Sequence, residues 1–381
     1  MENNLVEPRL SSYLHAKAAM KGTPITGTFE LTARCNLSCR MCYVHMSAAE
    51  ERAIGRELTT DEWLRIAADA RERGMLFLLI TGGEPLVRSD FKELFCELKK
   101  MGFMISINSN ATLINDEWLE FFKKEPPFRF NISLYGAENE AYERLCGAPH
   151  GSKMCDRVKS NIRALKEMGI GVKLNLSLTP YNRGEMAGVW ETARELGMPI
   201  QSATYMFPPM RRDGSCIGCG DRFTPDEDAA CGVEWDKLRF DAETFRARAK
   251  ALVRGCQLPD DADCGGSPDR GVRCRAGRST FWINWRGEMT PCGMMTEPAV
   301  SVIDEGFGSA WEKIKAETAK IQMPIECSGC KMRHACHVCA ASCYCETGRF
   351  DGKPEYICAS TAKMLEILER EVDQNGDNNG N

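Results

Sequence analysis

The stretch Cys35-Asn-Leu-Ser-Cys39-Arg-Met-Cys42 brings three cysteines together with the spacing CxxxCxxC. Three thiolates can hold three corners of a cubane 4Fe-4S cluster and leave its fourth iron without a protein ligand. Most electron-transfer ferredoxin sites close all four irons with cysteine. A triad with no fourth cysteine beside it in the sequence therefore predicts an iron reserved for a cofactor or substrate. A structural zinc site closed by His45 is the alternative.

A second motif follows one predicted strand later. The apolar run 75–80 predicts a buried strand that leads directly into Thr81-Gly82-Gly83-Glu84. Two glycines let the backbone approach a ligand closely, and the carboxylate of Glu84 can accept a hydrogen bond from an ammonium group. Both motifs therefore predict a ligand site at the carboxyl end of this strand.

Together, the triad and the Gly-Gly-Glu stretch resemble the motifs of radical S-adenosylmethionine (SAM) enzymes. In that family the open iron chelates the amino and carboxylate groups of SAM, and an electron from the cluster cleaves the sulfonium to give a 5′-deoxyadenosyl radical. The resemblance implies two sets of site residues: the catalytic cluster ligands Cys35, Cys39 and Cys42, and the residues that hold the SAM amino group, Gly82, Gly83 and Glu84.

Further SAM contacts are expected where later strands end. By the same resemblance, Ser133 and Arg144 match the positions that contact the ribose and the carboxylate of SAM. Ser109, after the third predicted strand, is a further candidate. Most of the family carries an aromatic residue just before the third cysteine, and here it is Met41. Its thioether keeps an apolar surface near the adenine but cannot stack as a ring does.

Length and composition predict an intracellular enzyme. With 381 residues, 43% of them hydrophobic, the chain can bury one large core and a smaller domain. The net charge of −5 gives no basic field for nucleic acid, and no apolar run suits a membrane span or a signal peptide. We therefore expect a cytoplasmic protein without nucleic-acid or membrane partners. Twenty cysteines in that reducing compartment favour several metal-thiolate sites over disulfides.

Apolar runs alternate with amphipathic helices from about residue 25 to residue 206, the pattern of a parallel sheet with helical crossovers. Six such units predict an α/β fold, a partial (β/α)6 TIM-like barrel that presents ligand groups at the carboxyl ends of its strands. The predicted strands are 28–31, 76–80, 103–107, 129–134, 172–178 and 200–206. The predicted helices between them are 60–73, 90–100, 116–123, 154–168 and 184–196.

The sequence divides into five predicted parts. They are an N-terminal extension (1–23), the barrel (24–206), a bridging helical segment (207–263), a small cysteine-rich domain (264–360), and a C-terminal helix with a disordered tail (361–381). The turn-rich stretch 259–268 marks the boundary before the cysteine-rich domain. In the bridging segment, Cys216, Cys219 and Cys231 could bind zinc or a further cluster, or remain reduced near the active-site mouth.

Seven C-terminal cysteines follow a regular spacing, Cys-x12-Gly-x4-Cys, then CxxCx5CxxC, then a late cysteine. This pattern resembles the SPASM extension, which binds two auxiliary 4Fe-4S clusters in radical SAM peptide and protein maturases. The resemblance implies two ligand sets: Cys274, Cys292 and Cys339 for the cluster nearer the barrel, and Cys327, Cys330, Cys336 and Cys358 for the other. A zinc ribbon, the alternative, would use too few of these cysteines.

The nearer auxiliary cluster has an open ligand assignment. Cys264 is a candidate fourth ligand, and Cys343 or Cys345 could substitute for Cys339, because the usual x3 step of the family is x2 here. Without a fourth ligand this cluster would keep an iron able to bind substrate. The stretch 281–289 predicts a hairpin that returns Cys292 beside the first cysteine of the set.

These motifs predict a radical SAM/SPASM enzyme that takes hydrogen from an unactivated C–H and oxidatively crosslinks or epimerises a peptide. The expected cofactors are three 4Fe-4S clusters and SAM. The expected partners are a peptide or protein substrate and an external electron donor of flavodoxin or ferredoxin type. Because Cys35 lies too near the N-terminus for a fused leader-binding domain, leader recognition would need a separate protein or the 207–263 segment.

Three alternatives stay open. A sulfatase-maturating enzyme would carry an Asp base directly after the cysteine that matches Cys292, where this chain has Gly293. A small-molecule or tetrapyrrole side-chain oxidase of the same superfamily would share the front-end motifs. A non-enzymatic iron-sulfur or zinc interaction protein would leave the Gly-Gly-Glu stretch beside the triad without a role.

Overall fold

The computed structural model describes residues 9–208, 221–256 and 270–373. Nine strands form one sheet: β1 (Thr26–Glu30), β2 (Phe77–Thr81), β3 (Met104–Ser109), β4 (Arg129–Ser133), β5 (Gly171–Ser177), β6 (Ile200–Ala203), β7 (Thr280–Ile283), β8 (Glu288–Thr290) and β9 (Val300–Ser301). Their order is β6-β5-β4-β3-β2-β1-β7-β8-β9, parallel from β6 to β7 and antiparallel beyond. No helix in these ranges is long and apolar enough to cross a membrane.

Thirteen α-helices are present in the described ranges. They are α1 (Arg9–Lys21), α2 (Ala48–Ile54), α3 (Thr60–Glu72), α4 (Phe91–Lys100), α5 (Asp116–Lys124), α6 (Asn139–Cys146), α7 (Met154–Glu167), α8 (Met186–Leu196), α9 (Pro225–Arg239), α10 (Ala242–Val253), α11 (Val302–Lys320), α12 (Ala340–Thr347) and α13 (Glu355–Asp373). The six-unit partial barrel is therefore confirmed, with each predicted strand and helix found within a few residues of its expected bounds.

Local sequence sets where the helices begin. The Thr59 hydroxyl accepts a hydrogen bond from the N–H of Glu62, and the Glu62 carboxylate accepts one from the N–H of Thr59. Thr224 and Glu227 form the same reciprocal pair before Pro225 at the start of α9. These bonds satisfy N–H groups that have no partner inside the helix.

Strands β3, β4 and β5 alternate between buried apolar residues and partly exposed residues that are mostly polar. Successive side chains of a strand point to opposite faces, so the two sets separate cleanly. The apolar set joins the largest buried core, together with residues of the surrounding helices. The other set faces the inside of the barrel, where a polar ligand can be held.

The sheet continues beyond the predicted barrel. β7 pairs in parallel with β1, although its residues belong to the segment predicted as a separate cysteine-rich domain from residue 264. The predicted hairpin is present between β7 and β8, and its turn contains Gly287 with a φ of 86°, a conformation that glycine adopts without strain. The cysteine-rich segment is thus built onto the barrel sheet.

Two smaller cores lie away from the barrel. One joins Met295, Met323 and Ala341 beside the C-terminal cysteines. The other lies where α9 and α10 of the bridging segment pack against α13. The bridging helices therefore hold the C-terminal helix in place.

Part of the prediction falls outside the described residues: Cys216, Cys219, Cys264, the boundary stretch 259–268 and the tail 374–381. Cys231 is described, and it lies fully buried in α9 within the main core. This position removes it from the mouth of the barrel, where it was expected on a loop.

Candidate active site

A cavity of about 340 Å³ opens where strands β2 to β6 end. The predicted residues that line it are Cys35, Cys39, Met41, Cys42, Gly82, Gly83, Ser109 and Ser133. The cavity thus brings together eight predicted site residues from four different segments, and ligand sites at the carboxyl ends of parallel strands are the rule for such sheets.

The cysteine loop is fixed at both of its outer sulfurs. The N–H of Leu37 donates to the Cys35 sulfur at 3.4 Å, and the N–H of His45 donates to the Cys42 sulfur at 3.2 Å. Burial raises the pKa of the Cys35 thiol to about 12. A hydrogen bond with Cys146, followed by burial, raises the pKa of Cys39. Metal binding must therefore displace tightly held protons, which ties loading of this site to pH.

The two glycines run alongside the cysteine loop. The N–H of Gly83 donates to the Thr32 carbonyl at 2.8 Å. A Cβ on Gly82 would lie 2.5 Å from that same oxygen, and a Cβ on Gly83 would lie 2.3 Å from the carbonyl oxygen of Arg34. Glycine is therefore required so that the backbone after β2 can lie against the residues just before Cys35.

The Glu84 side chain differs from its expected role. It is fully buried and is absent from the cavity lining. Its carboxylate accepts bonds from the N–H of Asn110 at 2.7 Å, the N–H of Leu86 at 3.1 Å and the Ser109 hydroxyl at 3.0 Å. Burial raises its pKa to about 7. Glu84 therefore ties the end of β2 to the end of β3, and the glycines alone face the cavity.

Arg144 also lies elsewhere than expected. It is about half exposed and forms an ion pair with Glu185 at 3.1 Å. Glu185 accepts a second bond from the N–H of Ala137 at 2.9 Å, so the pair braces the loop after β4. Arg144 does not line the cavity.

A row of amide side chains that the motifs did not reveal crosses the cavity floor. Asn131 donates to Asn108 at 2.8 Å, and Asn108 donates to Thr81 at 3.3 Å. Asn175 and Gln201 continue the row on paired positions of β5 and β6. The repeated alternation in Asn131-Ile-Ser and Asn175-Leu-Ser was the available sequence signal, because period-two polar residues mark one face of a strand.

Two of these amides have an unused acceptor. The Oδ1 atoms of Asn131 and Asn175 are buried without a hydrogen-bond partner in the described part of the chain. A buried acceptor of this kind costs about 1–3 kcal/mol unless something donates to it. The ammonium and hydroxyl groups of SAM are donors of the required kind, so the cavity fits that molecule beside a cluster on the three thiols.

The far rim of the cavity touches the cysteine-rich segment. The Tyr205 hydroxyl, on a residue that lines the cavity, donates to Glu346 of α12 at 2.5 Å. Arg222 pairs with both oxygens of Glu346, and its guanidinium lies 3.7 Å from the ring centre of Tyr356. This four-residue contact joins the barrel to α12 and α13.

The C-terminal cysteines form two neighbouring groups. A second cavity, of about 330 Å³, is lined by Cys274, Cys292, Cys336 and Cys339. Burial raises the pKa of Cys292 to about 12, and the Cys339 and Cys274 thiols add to the rise. Likewise, burial and then the Cys336 thiol raise the pKa of Cys358, and Cys327 adds to this effect. The second cavity therefore brings together cysteines of both implied ligand sets, because Cys336 belongs to the set implied for the other cluster. The division into two sets stays a prediction.

The two alternative cysteines on α12 are buried. Cys343 interacts electrostatically with cysteines of both groups, Cys327 and Cys339 among them, and its pKa is raised chiefly by burial. Cys345 donates to the Met294 carbonyl at 3.5 Å. Both therefore remain within reach of the nearer group. Among all the described residues, the triad and the C-terminal cysteines included, no three His, Cys, Asp or Glu side chains come together as ligands of a single metal ion. The zinc alternative with His45 therefore stays a prediction.

Comparison with curated proteins places this cavity in a known context. Residues 29–208 match the model of the Radical SAM superfamily. The AdoMet-dependent heme synthase of Methanosarcina barkeri is 26% identical over 349 residues, which are 87% of this chain and 95% of that protein. The PqqA peptide cyclase of Granulibacter bethesdensis is 30% identical over 168 residues, 44% of this chain and 43% of that protein.

A solved structure agrees on the fold. Native anSMEcpe with bound AdoMet and the Cp18Cys peptide superposes with a TM-score of 0.67 at 16% identity, covering 93% of this chain and 99% of that one. At this identity the likeness speaks for the fold alone. The family match spans β1 to β6 and every segment that lines the cavity. Residues 29–208, which include every residue that lines the cavity, are therefore similar to the Radical SAM superfamily.

Proposed function

We propose that the cavity binds a 4Fe-4S cluster through Cys35, Cys39 and Cys42 together with SAM, and that the chain uses them to oxidise a peptide. The carrying observation is that three thiols, the Gly82-Gly83 backbone and the strand-end amides surround one cavity. When bound, the cluster supplies the electron that cleaves the SAM sulfonium, and the resulting 5′-deoxyadenosyl radical takes hydrogen from an unactivated C–H.

Residues of the chain would bind and orient SAM. The free Oδ1 atoms of Asn131 and Asn175 would accept bonds from its ammonium or hydroxyl groups. Ser133 adds a hydroxyl at the same strand ends, and Met41 offers an apolar surface to the adenine. The surrounding strands exclude water from the reacting atoms.

Two auxiliary 4Fe-4S clusters in the C-terminal cysteine groups would accept the electron left on the oxidised product. The Tyr205–Glu346 contact supports this electron transfer, because it holds the cavity rim against α12. Cys339 stands at the start of that helix, and Cys358 lies on α13 two residues after Tyr356. An electron leaving the cavity would therefore enter a segment that carries both groups.

A peptide is the favoured substrate. The PqqA cyclase acts on a peptide and is 30% identical to part of this chain, and anSMEcpe, with the same fold, has been solved with a peptide bound. The net reaction would be a two-electron oxidation such as a crosslink, or an epimerisation if a thiol returns the hydrogen atom. An external flavodoxin- or ferredoxin-type donor and a separate leader-binding protein complete this proposal.

The sulfatase-maturating alternative is disfavoured by packing. A Cβ on Gly293 would lie 2.8 Å from three ring atoms of Trp282. Trp282 is itself held by a bond from its indole N–H to Glu30 at 2.9 Å. An Asp base at position 293 would therefore require this ring to move.

Oxidation of a tetrapyrrole side chain is the second candidate. One observation favours it: the likeness to the AdoMet-dependent heme synthase extends over 87% of this chain, about twice the share matched by the peptide cyclase. Both candidates use the same cavity and differ only in the substrate that enters it, a peptide or a tetrapyrrole.

One experiment separates the candidates. Anaerobically reconstituted protein is given SAM, a reductant and either a deuterated precursor peptide or a tetrapyrrole deuterated in its side chains. Label transfer from the peptide into 5′-deoxyadenosine, with loss of two hydrogens, supports a peptide oxidase, and uptake of one solvent deuterium without that loss indicates epimerisation. Label transfer from the tetrapyrrole instead would move the assignment to the second candidate. Failure to form any 5′-deoxyadenosine would refute both.

A further inference from the structure

Arg333 is a partly buried cation in an unusual position. It lies between Cys330 and Cys336 in the sequence, and its Nε and Nη1 atoms are buried without a hydrogen-bond partner among the residues that the structure describes. A guanidinium is always charged at neutral pH. Removing two of its nitrogen atoms from water without a hydrogen-bond acceptor is unfavourable, so an anion is expected beside them.

The surroundings of Arg333 are thiols from both C-terminal groups. Its side chain lines the 330 Å³ cavity together with Cys274, Cys292 and Cys339 of the nearer group. The same cavity is lined by Cys336 of the other group. The Arg333 charge also opposes the rise in the pKa of Cys327 that burial causes. The backbone also holds it in place, because its N–H donates to the Cys330 carbonyl at 3.1 Å.

We propose that Arg333 is a positioning residue shared by the two auxiliary clusters, whose negative charge it balances and whose reduction potential it raises. This inference rests on the proposed function, since it requires those clusters. Its Nε–H and Nη1–H would donate to cluster or cysteine sulfurs, and hydrogen bonds to sulfur are among the factors that set the potential. When one electron is added to a cluster without a proton, the fixed positive charge offsets the added negative charge.

The consequence is a favourable direction of electron flow. A substrate radical that loses one electron becomes an oxidised product, and the auxiliary cluster that gains it must be the better acceptor. A partly buried cation between the two groups favours the reduced form of either. The same charge is unfavourable when no cluster is present, so its effect on stability should reverse sign with iron loading.

The test is an anaerobic redox titration of the full iron-loaded chain, followed by electron paramagnetic resonance. Arg333→Met should lower the midpoint potential of an auxiliary cluster by at least about 59 mV, which is a tenfold change in a one-electron equilibrium. Lys331→Met is the matched control, because it removes the same charge from the same loop at an exposed position. Screening by water should leave its potentials close to the wild-type values.

A stability measurement provides an independent readout. Arg333→Met should raise the thermal midpoint of the iron-free protein, where the charge is unpaired, and lower that of the iron-loaded protein. If the Met variant does not load auxiliary iron, the midpoint potential is measured on Arg333→Gln instead. Its side chain is neutral but can still donate hydrogen bonds.

The outcomes separate the two claims. Wild-type protein with iron for only one cluster would overturn the auxiliary assignment and this inference with it. Full iron loading with potentials unchanged in the Arg333 variants would overturn this inference alone and leave the proposed function standing.

Discussion

The barrel and the cysteine-rich segment both bring thiols together, but different forces position them. The loop of Cys35 to Cys42 lies across the ends of a nine-stranded sheet with a large apolar core. The segment 321–354 contains only a short 3₁₀ turn and α12, and it packs against a small core. Hydrophobic burial can therefore order the barrel without metal. The cysteine-rich segment has little apolar burial of its own, so if it binds the proposed clusters it should depend on them for order.

The strongest test of this contrast removes the cluster ligands of the barrel. Replacing Cys35, Cys39 and Cys42 by Ala should abolish 5′-deoxyadenosine formation and remove about a third of the iron, about 4 atoms of about 12. The barrel should remain folded, because the core beneath the loop is untouched. Iron analysis and circular dichroism measure both effects. Collapse of the fold in this variant would show that the barrel also needs its metal.

The matching change in the other region is Cys330→Ala. SAM cleavage without substrate should persist, since the barrel site is intact, but product should not form because the electron has no acceptor. The segment 321–354 should become sensitive to protease, while Cys96→Ala, on α4, should behave as wild type. A normal oxidised product from the Cys330 variant would refute the electron-relay role.

The Glu84→Ala variant tests whether Glu84 supports the site through its hydrogen bonds within the protein or through a direct contact with SAM. The change leaves the N–H groups of Asn110 and Leu86 without an acceptor, at about 1–3 kcal/mol for each buried group. Thermal stability and SAM affinity should therefore fall together. Circular dichroism measures the stability and calorimetry the SAM affinity, both on iron-loaded protein. A loss of about 1.5–3 kcal/mol in SAM binding with unchanged stability would instead restore the direct contact with the SAM ammonium.

Asn175→Ala should show the opposite pattern. Its Oδ1 has no hydrogen-bond partner among the described residues, so truncation should weaken SAM binding by about 1–3 kcal/mol and leave stability nearly unchanged. Asn161 is the matched control: its amide donates to the carbonyls of Ala111 and Ile114, at 2.8 and 2.9 Å. Asn161→Ala should chiefly lower the thermal midpoint. Equal losses of SAM affinity in both variants would contradict the proposed pocket.

The smallest effect is expected for Arg144→Ala. The half-exposed pair with Glu185 is worth about 0–1 kcal/mol, and the side chain does not face the cavity. SAM affinity, measured by calorimetry, should change by no more than that amount. A tenfold or greater loss would mean that Arg144 leaves Glu185 to bind the SAM carboxylate.

Sequence reasoning succeeded where the chemistry is local. The cysteines of the triad lie close together in the sequence, and so do the two glycines. The alternation of apolar runs with amphipathic helices predicted all six barrel strands. The hydrogen bonds of Glu84 could not be predicted, because its partners Ser109 and Asn110 reach it only through the parallel register of β2 and β3. Its contact with SAM stays a prediction. The ion pair of Arg144 was also out of reach of local patterns, since Glu185 lies 41 residues away.

Other omissions have different causes. Helix α2 has only seven residues, too short for a periodic pattern to be convincing. Asn131 and Asn175 did show a polar alternation, but only the sheet reveals that their faces meet in one cavity. The pairing of β7 with β1 joins residues about 250 positions apart, which no local pattern encodes.

That pairing also limits how the protein can be dissected. The outer side of β1 carries backbone N–H and C=O groups that β7 occupies. A fragment ending before residue 280 would keep every lining residue of the cavity, yet it would expose this row as a free sheet edge. Open edges of this kind recruit strands from other molecules. The catalytic half should therefore aggregate when expressed alone, and the smallest soluble unit should extend beyond β7.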